Sequence, residues 1–103
     1  MLTEKDYCNY DTCHELMMMG LEPSVHYDSC HSLLLYEAQK WLRKEKGILI
    51  LPDYNSFGWF CGIHYPINSV KMFKYTAKEV NSYEEALLEG IKEAVKILKE
   101  NKL

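Results

Sequence analysis

The sequence has little positive charge of the kind that binds nucleic acid. It contains a single arginine, Arg43, and its formal net charge at pH 7 is −3. Nucleic-acid-binding domains concentrate Lys and Arg on one face, because each such side chain neutralises a backbone phosphate. The composition therefore argues against a large nucleic-acid footprint.

The sequence also lacks the features of membrane and secreted proteins. No apolar run approaches the roughly 20 residues of a membrane span. The first residues, MLTEKDYCNYD, carry acidic and polar groups where a signal peptide has a basic and then an apolar region. We therefore expect a cytosolic protein that makes no membrane contact and whose four cysteines remain thiols.

Cysteine and histidine crowd between residues 8 and 31, but without the C-x2-C spacing typical of zinc sites. Cys13 and His14 are adjacent on a predicted helix, so their side chains diverge by about 100°. We predict no metal and no other cofactor, and interpret Cys30-His31 as the lead-in to a helix. If zinc were bound, the ligand set would be Cys8, Cys13, His26 and Cys30.

A catalytic cysteine–histidine pair is the other reading of these residue types, and Cys61 and His64 are its best candidates. Both lie in a predicted strand, where residues three apart face opposite sides of the sheet. The two side chains would not meet as nucleophile and base. We therefore predict no catalytic residues and a protein that is not an enzyme.

Local signals predict three helices. Asn9 is a suitable N-cap for a short helix over 9–19. The apolar pattern starting near 32–34 predicts a second helix that ends at Lys46, before Gly47. Ser82 and Glu85 form the S-x-x-E pattern of a capping box at the start of a long amphipathic helix that extends to about 101.

Three strands are predicted between the second and third helices. The aliphatic run 48–51 reads as a buried strand stopped by Pro52, with turn residues after it. Alternation in 57–65 predicts a second strand, and 70–76 a third. In the second strand, Cys61 and Ile63 share one face with Trp59 and Tyr65, and the other face carries Phe60 and His64.

These elements predict an α+β fold with the order α-α-β-β-β-α. Short connections favour an antiparallel meander. We expect a two-layer sandwich in which helices pack on one face of a three-stranded antiparallel sheet. The chain reads as a single domain, 1–103, with the short helix 9–19 preceding an α-β-β-β-α core over 32–101.

Two segments resemble small uncharacterised proteins of phages and prophages of gut bacteria. These are LYEAQKWLRKEKGILI, 35–50, and SYEEALLEGIKEAVKIL, 82–98; YDTCHELMMMGL, 10–21, is more loosely similar. The middle, 52–81, carries no such resemblance, and the first helix departs from the pattern at Cys13 and His14. The resemblance implies a phage-type accessory protein and brings no catalytic residue with it.

The candidate binding residues are aromatic side chains on the outer face of the predicted sheet and nearby cations. Aromatic faces stack on bases, nucleotides or partner side chains, and Lys and Arg complement phosphate. The alternative is a purely structural role, in which these aromatic side chains pack in the core or in a homodimer. The candidate residues are Phe60, His64, Phe73, Tyr75, Arg43, Lys44, Lys71 and Lys74.

Two functions follow as hypotheses. The first is stoichiometric binding to a host protein in the host-cell cytosol, as an anti-defence or host-takeover factor. The second is an oligomeric sponge that sequesters a nucleotide signal through the aromatic and Lys/Arg residues. We also expect self-association, because a sheet with helices on one face leaves an aromatic face and strand edges that need cover.

Overall fold

The computed structural model describes residues 9–21, 34–65, 72–75 and 79–101. The helices are α1 (Tyr10–Met18), α2 (Leu35–Lys46) and α3 (Tyr83–Asn101), and the strands are β1 (Leu49–Asn55), β2 (Gly58–Tyr65) and β3 (Met72–Tyr75). The strands described pair antiparallel in the order β1-β2-β3. The α+β class and the order of elements therefore agree with the sequence prediction.

The helix ends follow the predicted local signals. The Asn9 side chain accepts a hydrogen bond of 2.9 Å from the Thr12 backbone N–H at the start of α1. Gly47 ends α2 with a φ of 68°, a left-handed conformation that glycine adopts without a Cβ clash. At the start of α3, Ser82 Oγ accepts from the Glu85 N–H at 3.2 Å.

The core lies where α3 crosses the sheet. Buried side chains of α3, including Leu87, Ile91 and Leu98, share one cluster with Ile50 of β1 and Ile63 of β2. Helix α2 packs beside α3 and also contacts β1, and α1 packs against α3. The first helix thus joins the common core, mainly through side chains with no exposed surface at Cys13 and Leu16.

Gly90 sets how closely α3 approaches the sheet. A Cβ built at this position would lie 2.7 Å from the Ile50 Cγ2 atom and would also overlap the Cys61 Sγ atom. Real Cβ atoms do not approach other heavy atoms so closely. The absence of a side chain at Gly90 therefore allows the α3 backbone to rest directly on β1 and β2.

The predicted three-stranded sheet packed by helices is wrong as stated: the helices pack on a two-stranded antiparallel hairpin. Strands β1 and β2 pair over seven residues each, from Leu49↔His64 to Asn55↔Gly58, and α3 packs on this pair. Strand β3 pairs with the far edge of β2 over four residues. Alternation in a sequence identifies a strand, but which strands a helix covers depends on where that helix crosses the sheet.

The first strand also differs from its prediction, because it continues through Pro52 to Asn55. Proline lacks an N–H, which excludes it from a central strand but not from an edge strand. β1 is an edge strand, so Pro52 is tolerated. The Gln39 side chain of α2 donates a hydrogen bond of 2.8 Å to the Ile50 carbonyl of this strand. The turn consequently falls at Ser56 and Phe57.

We predict that Gly90→Ala destabilises the protein. At a solvent-exposed position inside a helix, this substitution stabilises the folded state by about 1 kcal/mol, because alanine is the better helix former. Here the new methyl group would overpack the contact with Cys61 and Ile50, which typically costs about 1–3 kcal/mol. Urea denaturation followed by circular dichroism should show a lower free energy of unfolding.

The control for this prediction is the same substitution in a Cys61→Ala background, where the overlapping sulfur atom is gone. The loss caused by Gly90→Ala should be smaller there, and Lys96→Ala on the exposed side of α3 should change stability by less than about 0.5 kcal/mol. A Gly90→Ala protein more stable than the wild type would contradict this packing of α3.

Candidate functional site

Among the described elements, α3 packs on one face of the sheet, and the other face carries exposed side chains. Along β2, Cys61 and Ile63 have no exposed surface and lie on the side of α3. Because strand side chains alternate, Phe60, Gly62 and His64 lie on the opposite side, which we call the outer face. Residues that pair across strands point to the same face. Leu51 and Tyr75 both pair with Gly62 and therefore also belong to the outer face. Leu49, which pairs with His64, and Asp53, which pairs with Phe60, belong to it as well.

The outer face carries an exposed aromatic pair. The rings of Phe60 and Tyr75 meet edge to face, with centroids 5.3 Å apart and planes inclined by 70°. Tyr75 is 58% exposed, and Leu51 on the same face is 43% exposed. These side chains leave apolar surface in water on a face that α3 does not reach.

A second aromatic group lies on the other side of the sheet, near the turn. It consists of Tyr54, Trp59 and Tyr83, and we call it the aromatic ladder. Trp59 meets Tyr54 at 5.2 Å and Tyr83 at 5.7 Å between ring centroids, both edge to face. Tyr83 is the first residue of α3, so the ladder joins the start of that helix to the hairpin. We interpret the ladder as structural support for the turn.

The turn itself places Phe57 in solvent. The Asn55 side chain accepts hydrogen bonds from the N–H groups of Phe57, at 2.7 Å, and Gly58, at 3.1 Å. Two-residue hairpin turns favour Asn and Gly at their central positions, yet Phe57 stands there and is 83% exposed. Folding gains little from this phenylalanine, which makes it a candidate contact for a partner.

The backbone at Val80 ties the chain to the hairpin. Trp59 N–H donates to the Val80 carbonyl at 2.9 Å, and Val80 N–H donates to the Trp59 carbonyl at 2.7 Å. Gly58 permits this approach, because a Cβ at that position would lie 2.8 Å from the Val80 oxygen. The bridge brings Glu79, which precedes Val80, to the edge of the outer face.

A shallow depression of about 270 Å³ lies at this place. Its walls are Asn55, Phe60, Tyr75 and Glu79. Asp53 pairs with Phe60 across the strands and shares the outer face, and both carboxylate residues are exposed. The described ionisable groups next to the aromatic pair are therefore acidic.

The predicted binding residues fall into two groups in the structure. Phe60, His64 and Tyr75 share the outer face as expected, and the backbone of Phe73 pairs with His64. Arg43 and Lys44 are instead on the exposed side of α2, a helix that contacts β1 and α3. Lys71 lies outside the described residues, and of Lys74 only the backbone in β3 is described.

A nucleotide site needs cations beside the stacking rings, since the aromatic faces alone do not neutralise phosphate. Within the side chains that the structure describes, no such combination forms on the outer face. Sequence reasoning identified Phe60 and Tyr75 but missed Asp53 and Glu79. Phe57 could have been identified from the sequence, because it is a large apolar residue among residues typical of turns. Glu79 could not, because its position depends on the backbone bridge at Val80, which no local sequence pattern predicts.

Cys61 and His64, the predicted candidates for a catalytic pair, lie on opposite faces of β2. Burial raises the pKa of the Cys61 thiol from 9.0 to about 12, and a weaker interaction with the Leu51 backbone opposes that rise. His64 lies on the other face of the strand, as alternation predicts. Thiolate is the nucleophilic form, so a thiol with this pKa is inert near neutral pH.

The conditional zinc set cannot be traced in full. Cys8, His26 and Cys30 lie outside the described residues, as does His31, so the interpretation of Cys30-His31 stays a prediction. Cys13 is buried among the core residues of α1. Over the ranges that the structure describes, no cluster of three or more His, Cys, Asp or Glu side chains is arranged to hold a metal ion.

Comparisons with known proteins add no relative: no family model, no curated protein and no solved structure matches the chain. None of the helices in the described ranges is long and apolar enough to cross a membrane.

We predict that Cys61 in the native protein is alkylated by iodoacetamide at pH 8 very slowly. The raised pKa lowers its thiolate fraction by about a thousandfold relative to an ordinary thiol, and burial adds to this. Peptide mass spectrometry should find Cys61 unmodified in buffer and fully modified in denaturing urea. Equal rates in the two conditions would contradict the burial of Cys61 beneath α3.

Proposed function

We propose that this protein acts by stoichiometric binding to a partner protein, through the outer face of the sheet and the adjacent turn. The exposed aromatic surface supports this: Phe57, Tyr75 and Leu51 leave apolar area in water where the fold does not need it. Exposed apolar patches of this kind mark interaction surfaces, and aromatic side chains dominate the binding energy of many interfaces.

Charge selects a partner with a basic surface. Asp53 and Glu79 flank the aromatic pair, and the whole chain has a formal net charge of −3. A second copy of the chain carries the same carboxylates, so an interface that set these two faces against each other would be opposed by like-charge repulsion. A basic groove or patch on another protein gains both apolar burial and charge complementarity.

We place this binding in the cytosol of a bacterial host, as the action of a phage-type accessory protein in host takeover or anti-defence. The resemblance of 35–50 and 82–98 to phage and prophage proteins supports that setting.

We predict that a photo-crosslinker placed in the proposed interface captures one and the same host protein from two positions. The photoreactive residue p-benzoylphenylalanine would replace Phe57 in one variant and Tyr75 in another. Tyr36 on α2 is the matched control, because it is 59% exposed against 58% for Tyr75. After irradiation in host lysate, the two interface variants should give an adduct of the same mass, and the control should not.

The captured protein would then be purified and titrated with this protein, to test whether the two bind directly. Calorimetry should show one-to-one binding that Phe57→Ala and Tyr75→Ala weaken by about tenfold or more, as expected of interface anchors, while Tyr36→Ala stays within about twofold. Binding should also weaken with added salt. Crosslinking from position 36 as well, or adducts between two copies of the chain, would contradict the proposed function.

A further inference from the structure

We infer that the depression beside Phe60 and Tyr75 is a subsite for one cationic side chain, a lysine or arginine of the partner. This inference rests on the proposed function and names the chemistry of its contact. The observations that carry it are the shape of the depression, the charge of its walls and the hydrogen bonds that hold the backbone next to Glu79.

The small size of the depression favours a single side chain over a large ligand. The depression measures about 270 Å³, just below the range of roughly 300–1,000 Å³ that small-molecule pockets occupy. It is open to solvent along the exposed edge of Tyr75, which is 58% exposed. A nucleotide would therefore be poorly enclosed, whereas one long side chain entering from a docked surface would fill the space.

Charge and aromatic geometry select a cation. Glu79 forms one wall, and Asp53 stands across the strand pair from Phe60 on the same face. Phe60 and Tyr75 also line the depression, and aromatic rings attract an ammonium or guanidinium group placed over their faces. Among the described side chains, the carboxylates of Glu79 and Asp53 repel a phosphate or carboxylate group, which favours a cation at this place.

The backbone next to Glu79 is held in place by the fold. Two backbone hydrogen bonds between Trp59 and Val80, of 2.9 and 2.7 Å, fix the residue after Glu79 on the hairpin. Gly58 allows this close approach, and its φ of 139° suits glycine alone. Because this part of the backbone is already ordered, less conformational entropy is lost when a ligand binds.

The test uses single-residue probes and nuclear magnetic resonance. Nα-acetyl-L-arginine methylamide and Nα-acetyl-L-lysine methylamide would be titrated into the isotope-labelled protein. The expected result is a shift of the ring signals of Phe60 and Tyr75 that saturates with a Kd in the millimolar range. The norleucine analogue, which matches the lysine chain without its charge, should shift those signals at least about threefold less at equal concentration.

Variants separate charge from shape. Glu79→Gln keeps the size of the wall and removes its charge, so it should weaken the arginine probe by about threefold or more. Glu100→Gln, at the exposed end of α3, is the matched control and should leave the affinity unchanged. An unchanged affinity in Glu79→Gln, or equal shifts from the norleucine probe, would overturn the inference.

The outcomes for the subsite and for the proposed function can be told apart. If host protein crosslinks to positions 57 and 75 while the cationic probes show no preference over norleucine, the surface binds a partner but the depression is not a cation subsite. If the cationic probes bind selectively and neither position captures a protein, the depression binds cations and the proposed function fails.

Discussion

The close contact between α3 and the hairpin is the constraint on which the rest of the structure depends. It is made possible by Gly90, whose missing side chain lets the helix backbone reach Cys61 and Ile50. Once α3 is seated there, its remaining apolar side chains bury against α1 and α2, and one core forms around a single long helix. The same contact decides which face of the sheet is covered.

The outer face follows from this arrangement. α3 lies on β1 and β2 from one side, so the alternate side chains of these strands, including Leu51 and Phe60, are turned away from it. The bridge to Val80 then brings Glu79 to the edge of the same surface, and the neighbouring turn exposes Phe57. Residues that the core does not require, aromatic and acidic, thus gather at one end of the hairpin, and this is why we assign binding to that place.

Much of the fold could be predicted because its signals are local. Asn9, Gly47 and Ser82 mark helix ends through hydrogen bonds and backbone angles that depend on a few neighbouring residues. Alternation correctly separated Cys61 and Ile63 from Phe60. Pro52 misled the prediction, since its effect depends on whether the strand is central or at an edge, and a sequence alone does not say which.

The site was predictable in part for the same reason. Strand alternation predicts Phe60 on the outer face and makes Tyr75 a candidate for it, and the two rings do meet. Arg43 and Lys44 were grouped with them on chemistry alone, and the packing of α2 puts them elsewhere. The acidic wall at Glu79 depends on a backbone bridge between distant segments, and the covered part of the sheet depends on the path of α3. Both are properties of the assembled fold.

The measurement that tests the central claim most directly is hydroxyl-radical footprinting of the isolated protein at several concentrations, read out by peptide mass spectrometry. The claim is that the outer face is open. Tyr75 and Tyr36, which are exposed to almost the same degree, should then be oxidised at similar rates at low concentration. Strong protection of Tyr75 at every concentration, with Tyr36 still labelled, would show that the chain itself covers this face and would contradict the account.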